Sequence, residues 1–423
     1  MSPTVFISAG EASGEHYGAL LMEALKKQLA ARGQTAGFFG MGSARMEQAG
    51  LELVTRSESV AVMGVTEIVR HLPRIYSEFR KLRQSIRDRK PDIAVLIDFP
   101  DIHFKLAEEF HRLGIPVIFF VSPQLWAWKK HRIELVRKYV RRMLVIFPFE
   151  EPFYRERGIA ADFVGHPLAD LPLPTISREQ FAAQNGLDTQ RTWIGLLPGS
   201  RMKEIEANLP EMIRAAILLC HDYCLEQGHP EPQFLVPLAP TLTDAQRRGA
   251  QEMVDRLREN LTICLVNEGG AEGAASPNAG GARAALHHAC ASIVASGTAT
   301  VEAALIGNPF VVVYRVSPIT YAVAKLFVHV PHVAMANLIA GKRVVPESIQ
   351  HDFTAQNIVK HIKPLLPDGP ERQSMMQELS AVGIALRSRP AGAEPDGLTA
   401  IERVAVITLA ELDAARLSVT LNS

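Results

Sequence analysis

The sequence predicts an α/β protein with two similar domains in tandem, each built on a parallel, doubly wound sheet. At 423 residues the chain exceeds the size at which one hydrophobic core stops growing. Short apolar runs alternate with helical patterns, which is typical of parallel strands covered on both faces. The alternation breaks near residue 167, where glycine and prolines at 165–174 indicate a hinge. We therefore predict domains at 1–167 and 168–397.

The strands of the first domain are predicted from apolar runs too short for ordinary helices. They lie at 5–9, 36–39, 93–97, 117–121 and 143–147. Between the second and third runs, apolar residues recur every three or four positions over 68–87, which predicts a helix. Pro73 predicts a break or a fresh helix start inside it.

The second domain repeats this pattern after a helix that begins near Ser177. Its strands are predicted at 193–197, 234–237, 262–266, 292–295 and 310–314. Residues 268–285 are rich in glycine and alanine and predict a surface loop with no chemistry of its own. Residues 398–417 predict a closing helix, which we expect to pack back on the first domain.

Composition excludes several classes of protein. Lys+Arg and Asp+Glu balance at 45 each, so no global field favours nucleic acid. The N-terminus enters a strand without a basic region or a long apolar run, so we expect no secretory signal and a cytoplasmic location. The four cysteines form no CxxC pair, which favours buried, reduced thiols over a metal or redox site.

The strongest candidate in the first domain is Asp98, at the carboxyl end of a buried strand. That edge of an open α/β sheet faces the ligand crevice, so Asp98 is a candidate general base. The alternative is helix N-capping, for which Asp101 after the proline is the better candidate. The loop 10–15 holds small residues that either approach a ligand closely or form a simple tight turn.

In the second domain, two strand ends are candidates for binding phosphate. Arg201 follows a Gly-Ser turn and can hold a phosphate, or make a local ion pair. Residues 296–299 join a strand to a helix whose amides would cradle a diphosphate, with Glu302 in reach of ribose hydroxyls. The alternative is that Ser296 and Thr298 only cap the helix and Glu302 is solvated.

Two further segments have open interpretations. Trp126 and Trp128 can stack on a sugar or pack between domains. Residues 57–83 combine apolar and basic side chains, which favours either a membrane or acyl-binding surface or an ordinary core-facing helix. The chain contains no DxD, HExxH or Walker motif, so we expect no metal and no cofactor. His16, His103 and His166 are scattered, and we expect structural roles for them.

Taken together, these motifs occur in the order typical of one family, and the chain resembles the lipid-A-disaccharide synthases over nearly its whole length. The motifs are GEASGE (10–15), AVMG (61–64), IDFPD (97–101), VSPQLWAW (121–128), FPFE (147–150), GHPL (165–168), LPGSR (197–201), SGTA (296–299) and the segment 331–341.

The resemblance implies a GT-B fold, in which two Rossmann-like domains face each other across a cleft, and an inverting glycosyl transfer. A 2,3-diacylglucosamine unit would pass from UDP-2,3-diacylglucosamine to the 6-hydroxyl of 2,3-diacylglucosamine 1-phosphate (lipid X). The products would be UDP and the β-1,6-linked lipid A disaccharide 1-phosphate of lipopolysaccharide biosynthesis. It further implies peripheral association with the inner-membrane surface and leaves an oligomer open.

Carried over by position, Asp98 is the expected base that deprotonates the acceptor. The diphosphate positions are Arg201, Ser296, Gly297, Thr298 and Ala299, and the ribose-binding acid is Glu302. The cleft positions are Ser13, Glu15 and Asn337, and the side chains expected to receive acyl chains are Val60, Val62, Met63, Val65 and Ile68.

The chain departs from the family pattern at Glu15, where members usually have Asp, and at His103, where they usually have Asn. The segment 268–285 resembles a lineage-specific insertion. Two rival functions remain open: a UDP-N-acetylglucosamine 2-epimerase, disfavoured by the hydrophobic segment at 60–72, and a periplasmic sugar-binding protein, disfavoured by the missing secretory signal.

Overall fold

The computed structural model describes residues 2–60, 65–128, 130–226, 228–266, 281–317, 321, 330–387 and 397–421. The chain forms two compact units. The first comprises Met1–Asp170 and Leu386–Ser423, and the second comprises Leu171–Ala385. No helix among the described residues has both the length and the apolar character needed to cross a bilayer.

The first unit is a seven-stranded parallel sheet with helices on both faces. Its strands are β1 (Thr4–Ala9), β2 (Gly37–Gly42), β3 (Glu52–Arg56), β4 (Ile93–Ile97), β5 (Val117–Phe120), β6 (Arg142–Val145) and β7 (Ala161–Phe163). Their order in the sheet is β3-β2-β1-β4-β5-β6-β7. The described helices are α1 (Ala12–Ala31), α2 (Ala44–Gln48), α3 (Val65–Arg89), α4 (Pro100–Arg112), α5 (Ile133–Tyr139), α6 (Glu150–Arg155) and α15 (Ala400–Leu421).

Both faces of this sheet are buried, because successive side chains of a strand point to opposite sides. Val5 and Ile7 of β1 pack in the core that contains residues of α1 and α15, whereas Phe6 packs with residues of α3 and α4. β1 and β2 approach so closely that a Cβ on Gly40, whose φ is +151°, would lie 2.0 Å from the carbonyl oxygen of Ile7. Glycine is therefore required at position 40.

The second unit is a six-stranded parallel sheet of the same kind. Its strands are β8 (Trp193–Leu197), β9 (Gln233–Pro237), β10 (Ile263–Val266), β11 (Ala291–Ala295), β12 (Phe310–Tyr314) and β13 (Glu347–Ile349), in the order β10-β9-β8-β11-β12-β13. The helices that the structure describes in this unit are α7 (Arg178–Asn185), α8 (Met202–Cys220), α9 (Asp244–Leu257), α10 (Gly281–His288), α11 (Thr298–Ile306), α12 (Met335–Ala340), α13 (Ala355–Ile362) and α14 (Pro370–Arg387).

Three expectations about local structure need correction. The helix around Pro73 is continuous as α3, because Phe79, Leu82 and Ile86 beyond the proline continue one apolar face into the core. The last five residues of the segment predicted as a loop, 281–285, belong to α10, which buries Ala284 and Ala285, and the rest of that segment lies outside the described residues. The edge strands β3, β7 and β13 had no counterpart in the sequence-based prediction.

Candidate active site

The candidate site in the first unit lies at the carboxyl end of β4. Asp98 follows this strand and has a φ of +54°. Its N–H donates to the carbonyl oxygen of Phe120 at 2.9 Å, and its Oδ1 accepts the N–H of Phe99 at 2.9 Å. β1 and β5 flank β4 in the parallel sheet, so the loops that follow all three strands meet at this edge.

The environment of Asp98 raises the pKa of its carboxyl group to about 6. Burial is the largest cause, because it disfavours the charged form, and the negative charge of Glu11 adds to it. The hydrogen bond from the Phe99 N–H opposes the shift. The group is thus mostly ionised at pH 7, with a pKa close enough to the operating pH to accept a proton efficiently.

The loop after β1 supplies two of the acidic groups near this edge. Gly10 lies against the phenyl ring of Phe99, and a Cβ at position 10 would be 2.4 Å from that ring. The absence of a side chain at Gly10 therefore lets the loop after β1 pack closely against the residue that follows Asp98. Glu15 accepts a hydrogen bond from the buried hydroxyl of Ser57, and Ser13 is exposed in the first turn of α1. The influence of Glu11 on the pKa of Asp98 could not be predicted from the sequence, because it depends on the pairing of β1 with β4.

Asp101, the better candidate under the capping alternative, does not cap α4. The N-cap residue is Phe99, whose side chain makes no capping hydrogen bond, and Pro100 occupies the first helical turn. Asp101 instead forms an ion pair with Arg132 at 2.6 Å. The helix therefore starts two positions earlier than a cap at Asp101 requires.

The aromatic motif after β5 is tied into the first unit by a buried acid. The indole Nε1 of Trp126 donates to Glu150 Oε1 at 3.1 Å, and its rings meet Phe149 edge-on at 5.0 Å. Burial raises the pKa of Glu150 to about 8, so this carboxyl group is mostly protonated at neutral pH. Trp128 is 43% exposed. Sugar stacking by either tryptophan stays a prediction.

The proposed acyl-binding residues are only partly described. Val60 is buried in the core together with Phe6 and Phe39. Val62 and Met63 lie outside the described residues. Val65 and Ile68 lie on α3, but their side chains are likewise outside the described part of the chain. An acyl-binding role for this segment stays a prediction.

In the second unit, Arg201 follows β8 and is the N-cap residue of α8. Its Nη1 lies 3.3 Å from Glu204 Oε1, so the local ion pair that the sequence left as an alternative is present. Glu204 Oε2 also accepts the N–H groups of Ser200 at 2.9 Å and Arg201 at 3.2 Å. A phosphate that bound these amides would have to replace this carboxylate.

The turn between β11 and α11 leaves its glycine open. Gly297 has a φ of +150° and is the N-cap residue, and a Cβ there would meet nothing within 4 Å. Ser296 is half-buried, whereas Gly297 and Thr298 are exposed. Because the N-cap residue is Gly297, neither Ser296 nor Thr298 occupies the N-cap position. Ala299 lies in the first turn of α11.

Arg283 of α10 is a buried cation that the sequence analysis missed. The residue is 5% exposed, and burial lowers the pKa of its guanidinium, an effect that the charge of Glu302 opposes. Its Nη2 donates to the carbonyl oxygen of Pro172 at 3.0 Å. Its Nε and Nη1 have no hydrogen-bond partner among the described residues. Arg283 was overlooked because its segment was interpreted as a loop without chemistry.

Asn337 is buried in a hydrogen-bond network of its own unit. Its Oδ1 accepts the N–H groups of Val344 at 2.7 Å and Val345 at 2.9 Å. Its Nδ2 donates to Glu347 Oε1 and to the carbonyl oxygen of Val345, each at 2.9 Å. The amide thus holds α12 next to β13, and contact with a substrate stays a prediction. Within the described ranges, no group of three or more His, Cys, Asp or Glu side chains is arranged to hold a metal ion.

Comparison with known proteins identifies the family. A family model described as lipid-A-disaccharide synthetase matches residues 5–389. The chain belongs to this family. A lipid-A-disaccharide synthase of Acidobacterium capsulatum is 56% identical over 406 residues, which are 95% of each chain. The synthase of Koribacter versatilis is 46% identical over 384 residues, or 91% of this chain and 93% of the relative.

Solved structures confirm the predicted α/β, GT-B fold class. An α,α-trehalose 6-phosphate synthase from Burkholderia multivorans has a TM-score of 0.57 at 13% identity and covers 98% of this chain and 100% of its own. A UDP-GlcNAc 2-epimerase from Neisseria meningitidis, bound to UDP-GlcNAc, has a TM-score of 0.55 at 15% identity and covers 91% and 97%. At such identities the likeness concerns the fold alone. The match to the lipid-A-disaccharide synthetase family decides against the epimerase rival.

Proposed function

We propose that this chain transfers 2,3-diacylglucosamine from UDP-2,3-diacylglucosamine to the 6-hydroxyl of 2,3-diacylglucosamine 1-phosphate. The products are UDP and a β-1,6-linked disaccharide 1-phosphate. Identity of 56% over 95% of the chain to a synthase of that name supports the reaction. The carboxylate of Asp98, with its raised pKa at a sheet edge, is the single structural observation that carries the mechanism.

In this mechanism Asp98 removes the proton from the acceptor 6-hydroxyl as that oxygen attacks the anomeric carbon of the donor. Attack from the face opposite the diphosphate inverts the configuration, and the bond to UDP breaks as the new glycosidic bond forms. A base with a pKa of about 6 is ionised at neutral pH and gains basic strength from its burial. The rate should therefore fall as the pH drops below about 6.

The leaving diphosphate gains negative charge and requires positive partners or N–H donors. We assign this role to Arg201 and to the amides of Ser296, Gly297, Thr298 and Ala299 at the start of α11, with Glu302 on the ribose. The open, uncapped Gly297 and the helix of nine residues behind it support this assignment. Arg283 is buried and interacts electrostatically with Glu302, and we assign it as a second cation, beside Arg201, for the diphosphate.

The substrates are lipids, so we further propose that the protein works at the surface of the inner membrane. The outer side of α3 supports this location. Tyr76 is 64% exposed, and Arg80, four residues further along the same face of the helix, is exposed as well. Basic side chains with an interfacial tyrosine favour contact with anionic lipid.

Replacement of Asp98 by Asn tests the mechanism, with Asp101→Asn as a matched control in the same motif. Asp98→Asn removes the proton acceptor but keeps the shape, so we expect UDP release to fall roughly 100- to 10,000-fold. Donor binding, measured by calorimetry, should stay within about threefold, because Asp98 acts on the acceptor. Asp101 is paired with Arg132 on the exposed side, and its variant should stay close to wild type. Full activity of Asp98→Asn would exclude Asp98 as the base.

A further inference from the structure

His103 lies on α4 directly behind the candidate base and is completely buried. Its Nδ1 is 2.5 Å from the carbonyl oxygen of Asp98, and its Nε2 is 2.8 Å from Ser8 Oγ. The phenyl rings of Phe99 and Phe119 meet the imidazole edge-on at 5.8 and 5.9 Å. The ring is therefore fixed by two hydrogen bonds and two aromatic contacts.

These contacts determine the tautomer of His103. A carbonyl oxygen can only accept, so Nδ1 carries the proton that is donated to Asp98. Burial lowers the pKa of the imidazole to about 4, which keeps the ring neutral at pH 7. In the neutral ring Nε2 is then an acceptor, and the hydroxyl of Ser8 donates to it. Ser8 of β1 thus orients His103, and His103 binds the main chain of Asp98.

That main chain adopts an unfavourable conformation. Asp98 and Phe99 have φ values of +54° and +53°, a left-handed conformation that is unfavourable for non-glycine residues. Two hydrogen bonds hold the Asp98 residue in place. Its N–H donates to Phe120, and its carbonyl oxygen accepts from His103. The orientation of the carboxylate depends on this turn, because Oδ1 accepts the N–H of Phe99.

We propose that His103 is a positioning residue, whose Nδ1–H holds the carbonyl of Asp98 and thereby fixes the carboxylate in the orientation that accepts the substrate proton. The inference rests on the proposed function, because the orientation of the Asp98 carboxylate matters for catalysis only if Asp98 is the base. His103 does not touch the substrate in this scheme. Its contribution is to hold the peptide group between Asp98 and Phe99 in the orientation that the left-handed turn requires.

Three substitutions separate this role from simple packing. In His103→Asn the amide nitrogen takes the place of Nδ1 and can still donate to Asp98. In His103→Gln the amide takes the place of Nε2, and His103→Leu supplies neither group. We expect Asn to keep kcat within about fivefold of wild type, while Gln and Leu lower kcat about 10- to 100-fold. KM for donor and acceptor should change less than threefold in each variant.

The pH dependence of kcat/KM distinguishes positioning from packing, because the loss of a purely packing side chain would not shift it. In the Leu and Gln variants the carboxylate is no longer held in its buried orientation, so the acidic limb of kcat/KM should shift to lower pH. In His103→Asn the limb should stay where it is in the wild type. If His103→Leu fails to fold, the comparison of Asn with Gln, both polar, decides alone.

Equal kcat values for the Asn and Gln variants, or a His103→Leu enzyme with the wild-type kcat and pH limb, would overturn the inference. The companion variant Asp98→Asn separates this failure from failure of the proposed function. If Asp98→Asn is inactive while His103→Leu behaves as wild type, the positioning role alone fails. If Asp98→Asn is fully active, the proposed base and the positioning role both fail.

Discussion

Asp98 combines a buried carboxylate, a left-handed backbone and a neighbouring negative charge, and each of these has a cost in stability. Its sequence context predicted a functional aspartate, since acidic residues at the carboxyl ends of parallel strands face the ligand crevice. The sequence did not reveal Glu11 or His103 as its neighbours. The contact with Glu11 depends on the pairing of β1 with β4, which a local sequence pattern does not reveal. His103 is only five residues from Asp98, but its contact with the Asp98 carbonyl depends on the left-handed turn at Asp98 and Phe99.

The cost of the buried charge predicts a stabilising variant. The pKa of Asp98 rises from 3.8 to about 6 on folding, which corresponds to roughly 3 kcal/mol once the group is ionised. This penalty is nearly absent at pH 3, develops as the pH rises from about 4 to about 6, and is complete above about pH 7. We therefore expect Asp98→Asn to raise the free energy of unfolding by about 1–3 kcal/mol at pH 8, and to leave it nearly unchanged at pH 3.

Urea denaturation of the two proteins at both pH values checks this expectation. A variant that is less stable than the wild type at pH 8 would contradict the assigned cost of burial. The measurement needs no substrate, so it tests the environment of Asp98 separately from catalysis.

At the scale of elements, the sequence predicted the central strands and the edge strand β10, but not the other three edge strands. β4, β8 and β12 have the predicted bounds, because both faces of these strands are buried and their apolar runs are nearly continuous. β3, β7 and β13 contain charged residues such as Glu52, Asp162 and Glu347, and β7 and β13 have only three residues each. These three segments are strands because each pairs with a neighbouring strand, and their own sequence pattern does not indicate it.

The basic side chains of α3 fall into two groups. Glu109 of α4 is 3% exposed and is bound by Arg83 at 2.5 Å and by Arg87 at 2.6 Å, so these two arginines anchor the helix to its own unit. Arg74, Arg80 and Lys81 are exposed, and Arg80 lies on the same face of the helix as the exposed Tyr76. The helix thus has one set of basic residues for internal packing and another for the surface.

Charge reversal on the exposed set tests membrane binding. One basic residue near an anionic surface contributes about 1 kcal/mol, so Arg80→Glu should weaken binding to phosphatidylglycerol vesicles roughly tenfold. Lys105→Glu makes the same charge change on an exposed position of α4 and should have a much smaller effect. Sedimentation with anionic and neutral vesicles measures both. Equal losses for the two variants would show a general charge effect and refute a specific role of α3.

At the scale of the whole molecule, residues far apart in the chain build the first unit. The closing helix α15 buries Val404, Ala405, Leu409 and Leu412 in the core that also contains Leu21 of α1. Arg416 reaches Asp92 at 3.1 Å, and Arg32 reaches Asp413 at 2.9 Å. The first unit is therefore complete only when the C-terminal helix has been added.

Two aspartate substitutions on α15 test this dependence. Val404 is fully buried, so Val404→Asp places a carboxylate without a partner in the core and should cost about 3–5 kcal/mol or prevent folding. Val406 is 42% exposed, and Val406→Asp should cost less than about 0.5 kcal/mol. Thermal unfolding measures the difference. Similar losses of stability in the two variants would contradict the packing of α15 described above.

The most direct test of the account is product analysis with the two diacylated sugars in the presence of EDTA. The account predicts one UDP released for each disaccharide formed, a β configuration at the new anomeric carbon by NMR, and a rate unaffected by EDTA. It also predicts that Asp98→Asn binds the donor but forms almost no disaccharide. An α-linked product, a 2-epimerised sugar nucleotide, or full activity of Asp98→Asn would contradict it.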